Sequence, residues 1–405
     1  MRILLLVNWY PPDLRVPARR WGHLIAELQS VGFECTIVSA GDGSEREIVG
    51  PTGERVLRIP ISNGDEELAT GKVELSGRKS SRSYLHRVLN FVIPLALRDF
   101  RTFRWIKYVR KHPDVQEIVA DSDIIIASYG PLGPLVAGWC LARHAGKPWI
   151  ADIRDAFESK DLETYEVSRW FSRQLEKIIL KTASLRLTVS EKLSGYLCQR
   201  YGLSFSAIYN GWTDADIVKR KSSKAPTKYL YYPGSIYPHQ LQALSIVLDS
   251  LDEFKSVKLR MRLLNDNTGG RLQELLKTHP ARANVELLPP VSAQRVREEL
   301  SEALAALVLE DVSGVDELRL GTVTGKLFGL LASGLPGIAV SSAQGEISDL
   351  VDDVPCWYCV GDVVECRDAI RGVMQPQAYT GVGCLTQYHM TNQAHQLAKL
   401  LRDTR

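Results

Sequence analysis

The chain has 405 residues, of which 45% are hydrophobic and 24% are charged, a composition typical of globular proteins. This length predicts two domains. The net charge of +3 is too small to indicate a nucleic-acid partner, and we expect none. The seven cysteines are an odd number scattered through a large chain, which argues against a disulfide framework.

The start of the chain predicts a buried strand rather than a targeting segment. Residues 3–7 form a short apolar run, and Pro11 and Pro12 follow it closely. A signal peptide needs a longer apolar region and a small-residue cleavage site. No apolar run approaches the roughly 20 residues of a membrane-spanning helix. We therefore expect a cytoplasmic protein.

The first half of the sequence alternates between apolar runs and segments with helical spacing. Residues 3–7 and 35–39 predict strands, and residues 18–31 between them predict a helix that stops at Gly32. This β-α-β pattern indicates a parallel sheet with right-handed crossovers. The further predicted strands are 123–127, 149–152, 185–189 and 206–211, with helices at 133–144 and 168–182.

A second alternation follows a polar stretch at residues 213–228, where we place the domain boundary. Two successive α/β runs predict two doubly wound, Rossmann-like domains that face each other across a cleft. The predicted domains are 1–212 and 213–386, with 387–405 as a helix that packs back toward the first domain. The predicted strands here are 229–232, 258–264, 285–287, 305–309, 337–340 and 356–360, and the predicted helices are 241–251, 272–276, 296–303, 326–332 and 388–401.

Cys356 and Cys359 form a C-x-x-C pair, with Cys366 and Cys384 downstream. No histidine lies close in sequence, and the spacings match no standard zinc module. Strand packing is the preferred interpretation, a zinc site remains the alternative, and no metal is predicted.

Five segments in chain order carry a family resemblance. They are residues 8–13 with 18–20, residues 150–155, residues 188–191 with 201–202 and 209–211, residues 232–237, and residues 321–328 with 331–336. Together they resemble the retaining GT-B glycosyltransferases that build bacterial surface polysaccharides such as lipopolysaccharide or capsule. The resemblance implies transfer of a sugar from a nucleotide donor to a saccharide or lipid-linked acceptor, with the acceptor bound by domain 1–212 and the nucleotide-sugar by domain 213–386. It implies retention of configuration and no cofactor, with the donor a UDP-, GDP- or dTDP-sugar.

The last segment resembles the donor-binding loop and helix. Thr324 and Gly325 precede a helix that is predicted to begin near Lys326. A helix N-terminus suits a diphosphate, with Thr324 as a cap or phosphate ligand, Gly325 allowing close approach and Lys326 supplying charge. An ordinary capped helix with a surface lysine is the alternative. Without a D-x-D motif, these donors would have to stabilise the leaving diphosphate without a metal.

The sequence departs from the family at several donor positions. A glutamate that grips the ribose aligns with Gly329, and an earlier acidic residue aligns with Gly321. A dTDP-sugar, which lacks the 2′-hydroxyl, is one explanation. The candidate substitute carboxylates are Glu310, Asp311 and Glu317. After the first donor-domain strand, Ser235, Tyr237 and His239 stand where relatives carry an arginine and a lysine, so cationic help is assigned to Lys326 or Arg319. Gly234 allows close approach of the backbone, and Ser235 can donate one bond.

Three further sites complete the prediction. Asp155, beside Arg154 at a predicted strand end, is the candidate base for the acceptor hydroxyl, with a salt-bridged strand end as the alternative. Arg15 stands in the loop where relatives carry a Gly-Gly and approaches phosphate or is simply solvated. Glu346 resembles a residue near the donor sugar, or it starts the next helix.

Residues 78–111 hold ten Lys or Arg residues and one acidic residue, Asp99, among many apolar and aromatic ones. Such a stretch suits an anionic membrane surface or a lipid-diphosphate acceptor, and a helix packed by its apolar side is the alternative. The competing interpretations of the whole chain are a nucleotide-sugar epimerase and a GT-B partner protein that has lost its activity. Gly321 and Gly329 are the evidence for the latter.

Overall fold

The structure is a computed structural model. It describes residues 1–13, 15–41, 46–60, 100–130, 132–155, 166–218, 229–375 and 381–404. The chain forms two units. The first comprises Met1–Val189, Leu197–Ile208 and Ala394–Arg405, and the second comprises Ser190–Tyr196 and Tyr209–Gln393. The predicted domain boundary at residue 213 stays a prediction.

The first unit is built on an eight-stranded sheet with the order β3-β4-β2-β1-β5-β6-β7-β8. All neighbouring pairs are parallel except β3 and β4. Its central strands are continuous apolar runs that are buried along their length, as expected for strands covered on both faces. The strands are β1 (Arg2–Val7), β2 (Glu34–Gly41), β3 (Arg46–Val49), β4 (Arg55–Pro60), β5 (Ile124–Ser128), β6 (Trp149–Asp152), β7 (Leu185–Thr188) and β8 (Ser206–Ala207).

Helices connect these strands and bury apolar stripes at the expected helical spacing. In the first helix the buried positions include Trp21, Leu24, Ile25 and Leu28, which share one face. The helices are α1 (Val16–Ser30), α2 (Phe100–Lys111), α3 (Pro113–Asp121), α4 (Leu132–Ala145), α5 (Glu166–Lys181) and α6 (Glu191–Tyr201). The last helix of the chain, which belongs mainly to this unit, is described with the second unit below.

The second unit contains a six-stranded, all-parallel sheet with the order β11-β10-β9-β12-β13-β14. The strands are β9 (Tyr229–Ile236), β10 (Lys258–Asp266), β11 (Val285–Leu288), β12 (Ala305–Leu309), β13 (Gly337–Val340) and β14 (Trp357–Val360). The helices are α7 (Leu241–Leu251), α8 (Arg271–Thr278), α9 (Ala293–Glu302), α10 (Glu317–Leu320), α11 (Leu327–Ala332), α12 (Glu346–Asp352), α13 (Val363–Met374) and α14 (Met390–Asp403).

Both units are therefore doubly wound, Rossmann-like α/β layers, as the alternation of strands and helices predicts. Each sheet has one point at which the strand order reverses. In the first it lies between β1 and β5, and in the second between β9 and β12. Ligands of such sheets bind beyond the carboxyl ends of the strands at these points. The predicted cleft stays a prediction.

The sequence missed the edge of the first sheet. β3 and β4 lie in a region without a clear pattern, and β3 pairs antiparallel with β4. Three of the four β3 residues are exposed, and Arg55 forms an ion pair with Glu47 at 3.0 Å across the two strands. Charged residues protect exposed sheet edges, and they also hide the apolar alternation that predicts a strand.

Candidate functional site

Polar side chains converge at the reversal point of the second sheet. β9 ends with Gly234, Ser235 and Ile236, and Glu310 follows β12 directly. Because β9 and β12 are parallel neighbours, their carboxyl ends meet at one edge of the sheet. Lys326 immediately precedes α11, in the connection that follows β12. This edge is where a doubly wound sheet binds its ligand.

The Lys326 side chain reaches across this edge to β9. Its Nζ lies 3.5 Å from the centre of the Tyr232 ring. A Cβ at Gly234 would lie 3.0 Å from the same Nζ, and the φ of Gly234 is +141°, so only glycine fits here comfortably. The surrounding protein desolvates the ammonium and lowers the pKa of Lys326 to about 7, although Glu310 opposes this shift. An anion bound at this edge would favour the charged lysine.

Glu310 is held by the residues that follow β9. His239 Nε2 lies 2.8 Å from one carboxylate oxygen, and Gln240 Nε2 donates to the other at 3.5 Å. Gln240 also accepts from the backbone N–H of Tyr237 at 3.1 Å. The Tyr232 hydroxyl donates to the Ser235 carbonyl at 2.7 Å, and burial raises the pKa of Tyr232. These bonds fix the loop after β9 relative to Glu310.

The other predicted donor residues are less closely grouped. Tyr237 is 44% exposed and stacks on His239 with ring centres 5.8 Å apart. Arg319 is half-buried on α10, and its Nε lies 3.9 Å from Asp316. Gly325 is half-buried in the connection before α11.

Of the two roles predicted for Thr324, the helix cap is wrong, and the contact with phosphate stays a prediction. The helix begins at Leu327 and has only six residues, with Lys326 as its N-cap and no side-chain cap. Thr324 instead uses its backbone carbonyl to accept the N–H of Leu327 at 3.0 Å. The turn that precedes the helix thus satisfies the first N–H through the backbone. The charge of Lys326 is the stronger argument for an anion at this edge.

The surroundings differ at the two glycines that align with carboxylates in the family resemblance, and packing requires a glycine only at residue 321. A Cβ at Gly321 would lie 2.6 Å from the backbone nitrogen of Leu193, and the Gly321 carbonyl accepts from Ser190 Oγ at 2.5 Å. A Cβ at Gly329 would lie 3.3 Å from Oδ1 of Asp216. A carboxylate from another segment therefore occupies the space beside Gly329.

Sequence reasoning missed Asp216 as a candidate for the substitute carboxylate. Asp216 ends a short 3₁₀ turn at Asp214–Asp216, and its Oδ2 accepts from the Thr213 N–H at 2.9 Å and from the Thr213 hydroxyl at 3.1 Å. In the sequence these residues form a capping box, which predicts only a local turn. No local signal indicates that this turn lies against Gly329. Of the three predicted substitutes, Asp311 bonds within its own loop to Ser313 at 3.0 Å.

Glu346 is buried and occupied by protein donors. It is the first residue of α12, and only 3% of it is exposed. Its carboxylate accepts from the backbone N–H groups of Lys192 at 2.7 Å and Glu191 at 3.2 Å, and from the Tyr209 hydroxyl. Glu346 thus neutralises the N-terminus of α6, a favourable position for a carboxylate. Contact with a donor sugar stays a prediction.

The predicted catalytic pair lies at the carboxyl end of β6 in the first unit. Arg154 donates from Nε and Nη2 to the Tyr129 carbonyl at 3.1 and 2.7 Å. A Cβ at Gly130 would lie 2.5 Å from Arg154 Nη2, so this arginine packs directly on the loop after β5. Asp155 is exposed. Its predicted role as a base depends on an acceptor and stays a prediction.

Behind this pair, Asp152 forms a fully buried network. It accepts from Ser128 Oγ at 2.7 Å and lies 3.4 Å from Arg20 Nη2. Arg20 is 2% exposed and also donates to the Ile208 carbonyl at 2.7 Å. Burial lowers the pKa of Arg20, and Asp152 opposes this shift. Sequence reasoning quoted Arg20 only as part of a motif and missed its pairing with Asp152.

Arg15 has partners of its own. Its guanidinium lies 4.9 Å from the Trp9 ring centre, and Nη1 lies 3.4 Å from Asp13. Arg15 is the residue before α1, where it provides no side-chain cap. The structure places it in a surface cluster with Asp13 and Trp9, and contact with phosphate stays a prediction.

The described ranges hold neither a candidate metal site nor a membrane-spanning helix. No cluster of three or more His, Cys, Asp or Glu residues suited to a metal ion occurs there. Cys359 lies 3.5 Å from the Ser341 hydroxyl. Within the same ranges, no helix has both the length and the apolar character needed to span a bilayer.

Comparison with known proteins identifies the fold. No protein-family profile matches the chain, and no curated protein matches it in sequence. Among solved structures, AviGT4, a glycosyltransferase involved in avilamycin A biosynthesis, is similar at a TM-score of 0.55 with 14% identity, over 99% of this chain and 97% of that one.

Two further structures show the same similarity. One is the lipopolysaccharide outer core galactosyltransferase WaaB, at a TM-score of 0.54 with 12% identity, over 99% of this chain and all of that one. The other is the UDP-GlcNAc 2-epimerase of Methanocaldococcus jannaschii, at 0.54 with 12% identity, over the full length of both chains. The chain therefore has the GT-B fold, with its two Rossmann-like units, as the family resemblance implied.

Proposed function

We propose that this protein is a glycosyltransferase that moves a sugar from a nucleoside diphosphate donor to a saccharide or lipid-linked acceptor of a surface polysaccharide, such as lipopolysaccharide or capsule. The observation that carries the proposal is the Lys326 ammonium, placed against Gly234 at the reversal point of the second sheet. A desolvated cation with open backbone beside it is suited to a diphosphate.

In this proposal Lys326 stabilises the leaving group. When the bond from the sugar to the diphosphate breaks, negative charge builds on the diphosphate oxygens. The Lys326 ammonium takes up this charge in a site where the protein has already removed water, so the interaction is stronger than in bulk solvent. Ser235 adds a hydroxyl donor at the end of β9. Retention and the absence of a metal requirement are parts of this proposal that come from the family resemblance.

We assign recognition of the donor ribose to Asp216. Its carboxylate stands beside Gly329, one helical turn from Lys326 on the same face of α11. The position suits a hydroxyl of a nucleoside whose diphosphate lies at Lys326. Under this assignment a UDP- or GDP-sugar is a suitable donor. A dTDP-sugar remains the competing donor, since it lacks the 2′-hydroxyl and would depend less on Asp216.

In the first unit we assign the acceptor proton to Asp155. It is exposed at the carboxyl end of β6, and Arg154 beside it is fixed by the Tyr129 carbonyl. An exposed carboxylate is free to receive a hydroxyl proton when an acceptor brings that hydroxyl within hydrogen-bond reach. Residues 78–99 of the predicted basic surface lie outside the described residues. The part of this stretch that forms α2 packs on the protein by its apolar side. Trp105 is buried there and donates to the Ile59 carbonyl at 3.1 Å.

The first experiment is a thermal unfolding panel with UDP, GDP, ADP and dTDP, each alone and as sugar conjugates. A ligand at a hundred times its dissociation constant adds about 2.7 kcal/mol to the free energy of unfolding. We expect one base to stabilise the protein clearly and the Lys326→Met variant to lose that response. An absence of any response from the wild type would contradict the proposal and favour a partner protein without activity.

An epimerase is the second candidate, because an epimerase structure is as similar to this chain as the transferases are. Incubation with UDP-GlcNAc in the absence of any acceptor separates the two. A transferase leaves the sugar unchanged, whereas an epimerase produces an isomeric UDP-sugar of equal mass, which chromatography or NMR resolves.

A further inference from the structure

Helix α5 of the first unit, Glu166–Lys181, has an unusual distribution of side chains. On its inner side Ser172 and Glu176 are completely buried, together with Ile179 and Leu180. The Glu176 carboxylate accepts a hydrogen bond from the Tyr201 hydroxyl. Buried polar groups need such partners, and a helix seldom turns them inward when apolar side chains are at hand. Two polar residues of this helix, Ser172 and Glu176, thus face the protein.

Three large apolar side chains of α5 face outward instead. Trp170 is 53% exposed, Phe171 40% and Ile178 55%. The Trp170 and Phe171 rings meet edge to face with centres 4.9 Å apart, so they form one surface feature. Trp170 and Ile178 are eight residues apart, which places them on the same side of the helix. Large apolar side chains exposed on one side of a helix indicate an interaction surface.

Cations accompany the patch. Lys177 and Lys181 follow Trp170 at helical spacings of seven and eleven residues and therefore belong to the same side. No described carboxylate forms an ion pair with either lysine. The only acidic side chain that the structure describes on α5 is Glu176, which is buried. The outer side of α5 thus combines aromatic and aliphatic groups with positive charge.

We propose that the outer side of α5 is a docking surface for an anionic lipid membrane. Trp170, Phe171 and Ile178 enter the boundary between head groups and acyl chains, and Lys177 and Lys181 contact the anionic head groups. This combination is the one that amphipathic helices use to lie in a membrane interface. The proposal goes beyond glycosyl transfer and does not depend on it, and it places the membrane contact outside residues 78–111.

Charge favours a lipid surface over a second copy of the chain. A symmetric dimer pairs the same patch on both subunits. Such a dimer through α5 would bring two sets of Lys177 and Lys181 together, and like charges at one interface oppose association. An anionic membrane instead supplies both the opposite charge and the apolar environment that the patch lacks.

The test is co-sedimentation of the full chain with two kinds of vesicle. One kind contains phosphatidylcholine alone, and the other contains equal amounts of phosphatidylcholine and phosphatidylglycerol. We expect binding to the mixed vesicles that weakens as salt is added. The Trp170→Ser/Phe171→Ser/Ile178→Ser variant should bind at least about tenfold more weakly, since burial of these groups provides the apolar part of the binding energy. Replacing each of Lys177 and Lys181 by Gln should weaken binding roughly fivefold and reduce the salt dependence.

The matched control is Leu264→Ser/Val315→Ser/Val364→Ser, which removes three apolar side chains that are 62%, 81% and 66% exposed in the second unit. Equal vesicle binding by the two triple variants would overturn the proposal, as would failure of the wild type to bind the mixed vesicles. A wild-type dimer in sedimentation velocity that the α5 variant abolishes, without vesicle binding, would assign the surface to a second copy. If the α5 triple variant unfolds, the lysine variants and the salt dependence decide the question.

Discussion

Buried charge is compensated by the protein at the carboxyl edge of the first sheet but not at that of the second. In the first unit, Arg20 and Asp152 neutralise each other inside the protein; Arg20 also donates to the Ile208 carbonyl, and Asp152 accepts from Ser128. In the second unit, the ammonium of Lys326 is desolvated, and no described carboxylate lies within ion-pair distance of it. The first arrangement is complete without a ligand, whereas the second gains from an anion.

This difference shows that the same position in two Rossmann-like units can serve structure in one unit and ligand binding in the other. A buried ion pair whose two charges already compensate each other holds loops in place and leaves no net charge for a ligand. A desolvated charge without a counter-charge lowers the stability of the free protein. Binding of an anion compensates that charge and therefore gains affinity. The predictions below test this comparison.

The largest expected effect is on the first unit. Asp152→Asn leaves the Arg20 charge buried without its counter-charge, and we expect the free energy of unfolding to fall by about 3–5 kcal/mol. Urea denaturation measures this change. The matched control is Asp155→Asn, three residues further on and exposed, which should change stability by less than about 0.5 kcal/mol. Similar losses in both variants would contradict a special role for the buried pair.

The second prediction concerns Lys326. Lys326→Met should weaken binding of the preferred nucleoside diphosphate by roughly 10- to 100-fold, the usual value of a charge-assisted hydrogen bond. The free protein should lose no stability, because the substitution removes a desolvated charge. Calorimetric titration and urea denaturation give the two numbers. A Lys326→Met variant that is strongly destabilised but binds the nucleoside diphosphate normally would show that Lys326 serves structure and not binding.

The pH dependence follows from the pKa of Lys326, which is lowered to about 7 from a normal value of 10.5. Between these values the unfolded chain carries the proton and the folded protein does not, so this group raises stability as the pH rises from 7 towards 10. Binding of an anion requires the protonated lysine, so affinity should fall as the pH rises, by about tenfold between pH 7 and 8.5. Lys326→Met should show neither trend.

The third prediction compares the two glycines. Gly321→Ala places a methyl group 2.6 Å from the Leu193 backbone nitrogen, and we expect a loss of about 1–3 kcal/mol in the free energy of unfolding. Gly329→Ala meets only the Asp216 carboxylate at 3.3 Å and gains helix propensity, so its stability should change by less than about 1 kcal/mol. Equal losses at both sites in urea denaturation would show that Asp216 is held as firmly as the backbone.

The smallest expected effect is on ribose recognition. Asp216→Asn keeps an oxygen for the Thr213 N–H and should lower affinity for a ribonucleoside diphosphate about fivefold. It should leave affinity for the 2′-deoxy analogue and for pyrophosphate unchanged. Calorimetric titration with the three ligands measures this. Equal losses for all three would indicate a structural effect, and tighter binding of dTDP by the wild type would favour the deoxyribonucleotide donor.

The sequence by itself determined the repeated α/β alternation and the positions of most strands and helices. This was possible because buried parallel strands are continuous apolar runs and their helices carry apolar stripes at fixed spacing. The family resemblance also indicated the region around Lys326, where the sequence alone left an ordinary capped helix as the alternative. It did not predict β3, because an edge strand with charged, exposed residues lacks that signal.

Only the tertiary structure decided the partners of the charged residues. Arg20 is paired with Asp152, Glu346 bonds the start of α6, and Asp216 lies beside Gly329. These partners are more than a hundred residues apart, and no local pattern encodes which distant segment a side chain will meet. The same is true of α5, since its sequence shows an amphipathic helix but only packing shows that Trp170 faces outward. The spacing of apolar and polar residues shows that two faces of a helix or strand differ in polarity. Which of these faces is buried depends on the parts of the chain that pack against it.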